Sequence, residues 1–419
     1  MSRSSRSICI VAPRYLSSTP RVIKEADALH EAGYSVRVVL SHGDLDRIRA
    51  HDAELAAEKP WTVDAVGWSS SRPEERMAYL RGTLRHRVMQ GLVKVAPPVL
   101  LHRLEAYESV QHRMYPEVAD LAAREPADLY VGHYPAGLAA AARAANRHGA
   151  LLGYDVEDFH VGEAPDDQAR VERVSDLERR YVPRCSYVTA ASAGIAEAFA
   201  GRYGLDLPTV IYNAFPLAER ESLNGDTKDR DGDALSLYWY SQTVGLDRGL
   251  QDAIRAAGRL HAPVQLHVRG ALSDEVRQVL TSLAATSGVA DALHFHDKVP
   301  PGELLSRAAE HDVGLALEQG HTLNRRICTT NKLFRYMLAG LAIAATDVPG
   351  QRDVLGDAVS FSGLYPPGDA DALAAVLETW TNRERLEAAQ SASLAAARER
   401  WNWETESQKL VDTVSAVLS

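Results

Sequence analysis

The sequence predicts an α/β protein made of two doubly wound domains, and three observations point there. The chain has 419 residues, more than one ordinary core holds, which suggests about two domains. Short apolar strand candidates alternate with helix candidates along most of its length. One polar, glycine-containing stretch, "LAERESLNGDTKDRDGDA", interrupts that alternation after Pro216 and reads as a linker.

The first elements form a β–α–β unit. "SICIVA" is a strand candidate, followed by the loop "PRYLSS" and the helix "TPRVIKEADALHEAG". Thr19 is placed as the N-cap, Pro20 at the first helical position and Gly33 at the close, with Val22, Ile23, Ala26 and Leu29 on one face. "YSVRVVLS" is the next strand, so a parallel pair with a right-handed crossover is expected. Further on, "ADLYVGH", "ALLGYDVE", "CSYVTAAS" and "PTVIYNAF" read as strands and "AGLAAAARAANRHG" as a helix. Beyond the linker the strands are "LSLYWYSQ", "VQLHVRG", "LHFHD", "VGLALE" and "LAIAATD". Between them lie the helices "GLQDAIRAAGRL", "DEVRQVLTSLAATSG", "GELLSRAAEHD" and "NKLFRYMLAG", and a helical segment runs from Arg383 to Leu418. The expected division is 1–216, a linker 217–234, 235–395 and a last segment 396–419.

Composition removes several classes. Hydrophobic residues make up 46% and charged residues 24%, a globular balance. A net charge of −10 argues against nucleic acid as a partner, since phosphates call for a basic surface. Cys9, Cys185 and Cys328 are far apart with no metal-type spacing, which fits a reduced, cytoplasmic protein. "MSRSSRSICIVAPRY" is too short in apolar residues for a signal peptide, and no run approaches the roughly 20 residues of a membrane span.

Residues 79–115 depart from the rest, with Arg81, Arg85, Arg87, Lys94, Arg103 and Arg113 against Glu105 and Glu108. A helical insertion with a solvated basic face accounts for this, with Pro97–Pro98 breaking any long helix. Weak contact with a membrane surface or an anionic acceptor is the functional alternative.

Several stretches together resemble the GT-B glycosyltransferases, family 4-like, over nearly the whole chain. "SSTPRVIKEADALHEAGYSVRVV" is similar to that family's opening helix and second strand, and "ADLYVGHYPAGLAAAARAANRHGALLGYDVED" to its next two strand ends. "NKLFRYMLAGLAIAATDVPG" is similar to its donor-site helix and strand, and "PPGDADALAAVL" with "WNWE" to its last elements. The resemblance implies two Rossmann-like domains facing across a cleft, the first for the acceptor and the second for a nucleotide sugar. It also implies a final helix crossing back to the first domain, and transfer with retention of configuration.

The resemblance places Arg248, in "SQTVGLDRGL", at the donor diphosphate, with Thr243 where relatives often carry a second cation. Lys332 follows Thr330–Asn331 in the first turn of a helix, whose exposed N–H groups and dipole favour an anion. For both cations a merely solvated side chain is the plainer alternative. Glu318 ends "VGLALE" and borders the loop "QGHTLNRRICTT", the expected sugar pocket. His133 aligns with a family histidine facing donor or acceptor. Asp155, Glu157 and Asp158 end the following strand, where open α/β sheets bind ligands. Relatives carry histidine and glutamate at the positions of Glu157 and Asp158. Arg335 and Cys328 stand where relatives often have glutamates, so Arg335 is expected to give an altered grip on the nucleotide. His294 and His296 alternate along a strand with no carboxylate cluster, and no metal or cofactor is expected anywhere.

The function expected is transfer of a sugar from a GDP-, UDP- or dTDP-linked donor to a small-molecule or lipid-linked acceptor. His133, Arg248 and Lys332 are its expected catalytic residues; Thr243, Glu318, Asn331, Arg335, Asp155 and Glu157 are expected to bind substrate. A sugar-nucleotide epimerase or phosphorylase, or a binding protein without activity, are the rival readings.

Overall fold

The computed structural model describes residues 6–223 and 234–419, which form two compact units. The linker expected at 217–234 therefore lies mostly outside the described residues; Leu217–Ser222, at its start, is a 3-10 turn.

The first unit takes in the chain up to Ala191, then Ile195–Ile211 and Ser407–Ser419. Its sheet has seven strands: β1 (Ser7–Val11), β2 (Ser35–His42), β3 (Thr62–Gly67), β4 (Leu129–His133), β5 (Leu151–Val156), β6 (Tyr187–Ala190) and β7 (Thr209–Val210). Their order is β3-β2-β1-β4-β5-β6-β7 and every pairing is parallel. Strands β1 and β4 are apolar runs almost wholly buried, as parallel strands with both faces covered must be. Gly132 and Gly137 let the helix Tyr134–His148 lie close: a Cβ on Gly132 would stand 2.4 Å from the Leu138 Cα, and one on Gly137 2.4 Å from the Val11 oxygen.

The second unit takes in Ser192–Gly194 and Tyr212–Glu406. Its six strands are β8 (Leu235–Thr243), β9 (Val264–Ala271), β10 (Leu293–His296), β11 (Val313–Ala316), β12 (Ala342–Thr346) and β13 (Ser362–Tyr365). Again all are parallel, in the order β10-β9-β8-β11-β12-β13. Strand order reverses beside β1 in the first sheet and beside β8 in the second, and each reversal opens a crevice at the carboxyl ends of its strands.

The two units divide between Ile211 and Tyr212 and again between Glu406 and Ser407, inside the helix Trp403–Leu418. Several expectations about single elements are corrected. "PTVIYNAF" yields only the two strand residues of β7. Strands β3 and β13 were not expected; both are half exposed at sheet edges, so neither has a marked apolar period. Thr19 does not cap its helix through its side chain; its hydroxyl donates to the Leu16 carbonyl at 2.9 Å. On that helix Ile23 is only half buried, whereas Arg21 and Glu25 face inward.

Candidate active site

At the crevice of the first sheet the buried charges converge. His133 ends β4 with no exposed surface, and its Nε2 lies 2.6 Å from Glu25 Oε2. Its Nδ1 is 3.5 Å from Asp155 Oδ2. Asp155, on β5, accepts from Arg21 Nε at 2.6 Å and Nη2 at 2.8 Å, and from the Thr189 hydroxyl at 2.6 Å. Arg21 also donates to the Ile211 carbonyl at 2.8 Å, so its planar fork is spent on fixed partners. Burial alone would raise Asp155, but the charge and hydrogen bonds of Arg21 prevail and hold its carboxyl well below the usual range. Burial likewise opposes charge on His133, yet Glu25, then Asp155 and Glu157, outweigh it and raise its pKa. Glu157 is pushed up by desolvation against the pull of Arg21.

Next in the chain, Tyr134 sits at φ 62, in the left-handed region, at the turn from β4 into its helix. A bulky residue held there costs on the order of 1–3 kcal/mol, and such strain gathers at functional turns. Its ring lies 4.1 Å from the Arg14 guanidinium carbon and its hydroxyl donates to Glu157 at 3.1 Å.

The crevice of the second sheet is cationic. Lys332, in the first turn of the helix Asn331–Ala339, places Nζ 2.7 Å from Glu318 Oε1, 3.4 Å from the Thr330 hydroxyl and 5.7 Å from the Trp239 ring centre. Arg325 Nη1 is 3.9 Å from Glu318 Oε2, and Nη2 is 3.7 Å from Asp247 Oδ2. Arg248, on the turn Leu246–Arg248, has Nε 3.6 Å from Asp247 Oδ1. Lys332 first, then Arg325 and Arg248, hold Glu318 below its usual range against the opposing effect of burial. Three cations thus stand against two carboxylates. Gly249, at φ 75, lets this turn close, since a Cβ there would meet the Leu317 carbonyl at 2.5 Å.

The structure therefore brings Arg248, Glu318 and Lys332 into one cluster in the second unit, and His133, Asp155 and Glu157 into another in the first. Thr243 and Asn331 are exposed, Thr243 just past an irregularity in the β8–β9 pairing. Arg335 turns elsewhere than Lys332: it is buried, stacked 3.9 Å from the Phe215 ring centre, with Nη1 3.3 Å from Glu219 Oε2. Sequence reasoning missed Arg21 and Glu25, whose signal was two charges four apart among the apolar positions of a helix. It also missed Arg325, hidden in a segment read as a loop that contains the short helix Leu323–Ile327. Among the described residues, no group of three or more His, Cys, Asp or Glu is arranged to hold a metal. No helix of the described chain is long and apolar enough to cross a membrane.

Two Rossmann-like units of this order make the fold GT-B, the two-domain architecture of many glycosyltransferases. The solved structures similar to it include HepE of Anabaena in complex with UDP and glucose, at TM-score 0.68 and 16% identity, covering 98% of this chain and 100% of that one. Sucrose-phosphate synthase of Thermosynechococcus elongatus gives TM-score 0.68 at 14% identity, with 99% of each chain covered. A protein assigned as a UDP-N-acetylglucosamine 2-epimerase in Listeria monocytogenes gives 0.59 at 10% identity, covering 100% of this chain and 97% of that one. At these identities the likeness is one of fold. No family model matches the chain, and no curated protein matches it.

Proposed function

We propose that the chain is a retaining, metal-independent glycosyltransferase acting in the cytoplasm on a nucleoside diphosphate sugar and a small-molecule or lipid-linked acceptor. The observation that carries this reading is the cluster of Arg248, Arg325 and Lys332 around Glu318, at the sheet crevice and beside a helix N-terminus. A diphosphate leaving group gathers negative charge as its bond to the sugar C1 breaks, and preorganised cations stabilise that charge most. The binding of UDP and glucose by HepE, which shares the fold, supports the donor class. In the proposed step the acceptor oxygen attacks C1 on the face the diphosphate leaves, and the acceptor proton passes to a departing phosphate oxygen. Glu318 holds Lys332 in place, while Asn331 and Thr243 offer hydrogen bonds to the donor. In the first unit, the cluster of His133, Glu25, Asp155 and Glu157 is the candidate for contact with the acceptor.

An epimerase is the second reading, favoured by the Listeria structure of the same fold. Incubation with labelled UDP-, GDP- and dTDP-sugars in excess chelator, with and without acceptor mixtures, separates the two. Transfer is expected to persist in chelator and to give a product whose anomeric configuration matches the donor. A donor recovered with one inverted stereocentre and no new glycoside would establish the epimerase, and activity restored only by a divalent ion would overturn metal independence.

A further inference from the structure

We propose that the helix Pro73–Val93 and the short helix after it form a docking face for an anionic lipid surface. The long helix is fastened by one side. Tyr79 stacks on Trp68, with ring centres 6.3 Å apart, and His86 Nδ1 lies 2.9 Å from the Ser109 carbonyl oxygen. Arg85 donates to Glu117 at 2.6 Å and to the Arg113 carbonyl at 2.7 Å. Gly82 lies so close to Met114 that a Cβ there would meet its sulfur at 2.6 Å.

The opposite side of this helix is bare. Met77, Leu80, Leu84 and Val88 recur at steps of three and four, so they form one stripe, and all are exposed, Leu84 to 66%. Past the helix end more large apolar side chains are exposed: Val95 (83%), Val99 (67%), Leu100 and Leu104. Runs of exposed large aliphatic side chains are uncommon on a monomeric protein unless they meet something.

The charges around the stripe select what that something is. At 100° per residue, Arg81 lies along one edge of the stripe, and Arg76, Arg87 and Lys94 along the other. With Arg103 on the helix Pro98–Arg103, all five are exposed and make no ion pair with a carboxylate among the described residues. From Arg76 to Leu104 the chain contains no Asp or Glu, although its net charge is −10. An apolar stripe edged by cations is the pattern of a helix lying in the headgroup plane of a bilayer, its leucines among acyl chains and its arginines at phosphate depth. A second copy of this face would set cations against cations, which disfavours self-association.

The inference is independent of the transfer chemistry, and so is its test. Full-length protein is floated with vesicles of phosphatidylcholine alone and of phosphatidylcholine with a third phosphatidylglycerol. Co-flotation is expected with the anionic vesicles only, falling as salt rises and shortens the reach of the charges. Arg81→Glu with Arg87→Glu is expected to weaken binding by about thirty-fold or more. Leu80→Ser with Leu84→Ser is expected to weaken it about tenfold or more, with Tm and circular dichroism unchanged because these side chains are exposed. Failure to float, or equal flotation on neutral vesicles, overturns the proposal. So does a protein that sediments as a dimer dissociated by the leucine variant while ignoring vesicles.

Discussion

Glu318 and Lys332 stand 2.7 Å apart with little solvent around either side chain, and Arg248 and Arg325 add their charge to the same carboxylate. Charge-assisted contacts to phosphate contribute about 1.5–3 kcal/mol each. Arg248→Ala and Lys332→Ala are therefore each expected to lower kcat/KM for the donor by roughly ten- to a hundred-fold. Arg248→Ala should leave Tm unchanged, and unaltered kcat/KM in both variants would remove the diphosphate from this cluster. Arg335 has a different place in the structure from the one its sequence position implies. It faces Glu219 and Phe215, fastening the turn Leu217–Ser222 to the helix Asn331–Ala339. Arg335→Ala is expected to cost about 1–2 kcal/mol, a few degrees of Tm, with donor KM nearly unchanged. Arg335→Glu should cost more, since it sets two carboxylates together. A tenfold rise in KM at constant Tm would restore Arg335 to the nucleotide grip.

At the scale of elements, the strands β9 and β10 carry histidines in register on one face. His267 Nδ1 lies 3.0 Å from His296 Nε2, and His267 also stacks on His294 with ring centres 4.8 Å apart. Burial first, then His294, His296 and Arg269, lower the His267 pKa to about 4. A depressed histidine takes up its proton less readily folded than unfolded. Stability is thus complete above the ordinary histidine pKa of about 6.5 and is lost as pH falls from there through about 4. Thermal melts of the wild type and of His267→Gln over that range should converge on acidification, and parallel curves would contradict the assignment. Elements were legible wherever an apolar run was buried on both faces, as in β1, β4 and β12. Edge strands β3 and β13 escaped because solvent on one side erases that run. The buried charges Arg21 and Glu25 escaped because a helical period read from apolar residues alone treats charge as outward-facing. Their partners, Asp155 and His133, come from strands more than a hundred residues away.

For the whole molecule, the pattern of strands specified two doubly wound units, and the site candidates fell at the sheet crevices because topology puts loops there. What the sequence could not convey was which candidates share a cluster. Arg325 joins Glu318 only because the segment after β11 coils back as the helix Leu323–Ile327. The stretch 79–115 was legible as a candidate membrane-facing basic segment, but not which side it presents in the stripe Met77, Leu80, Leu84 and Val88, since apolar periodicity does not say which helical face is covered. Direct binding tests, without any acceptor being known, whether the Arg248–Arg325–Lys332 cluster receives a nucleoside diphosphate as proposed. A ligand that binds only the folded state raises Tm by mass action, by about 2.7 kcal/mol of stability at a hundredfold excess over Kd. The decisive measurement is a melt of the wild type and of Arg248→Ala against UDP, GDP and dTDP, each at millimolar concentration. A rise of several degrees with at least one diphosphate, lost in the variant, is expected; no rise with any of them, or an equal rise in both proteins, would exclude a nucleoside diphosphate from this cluster.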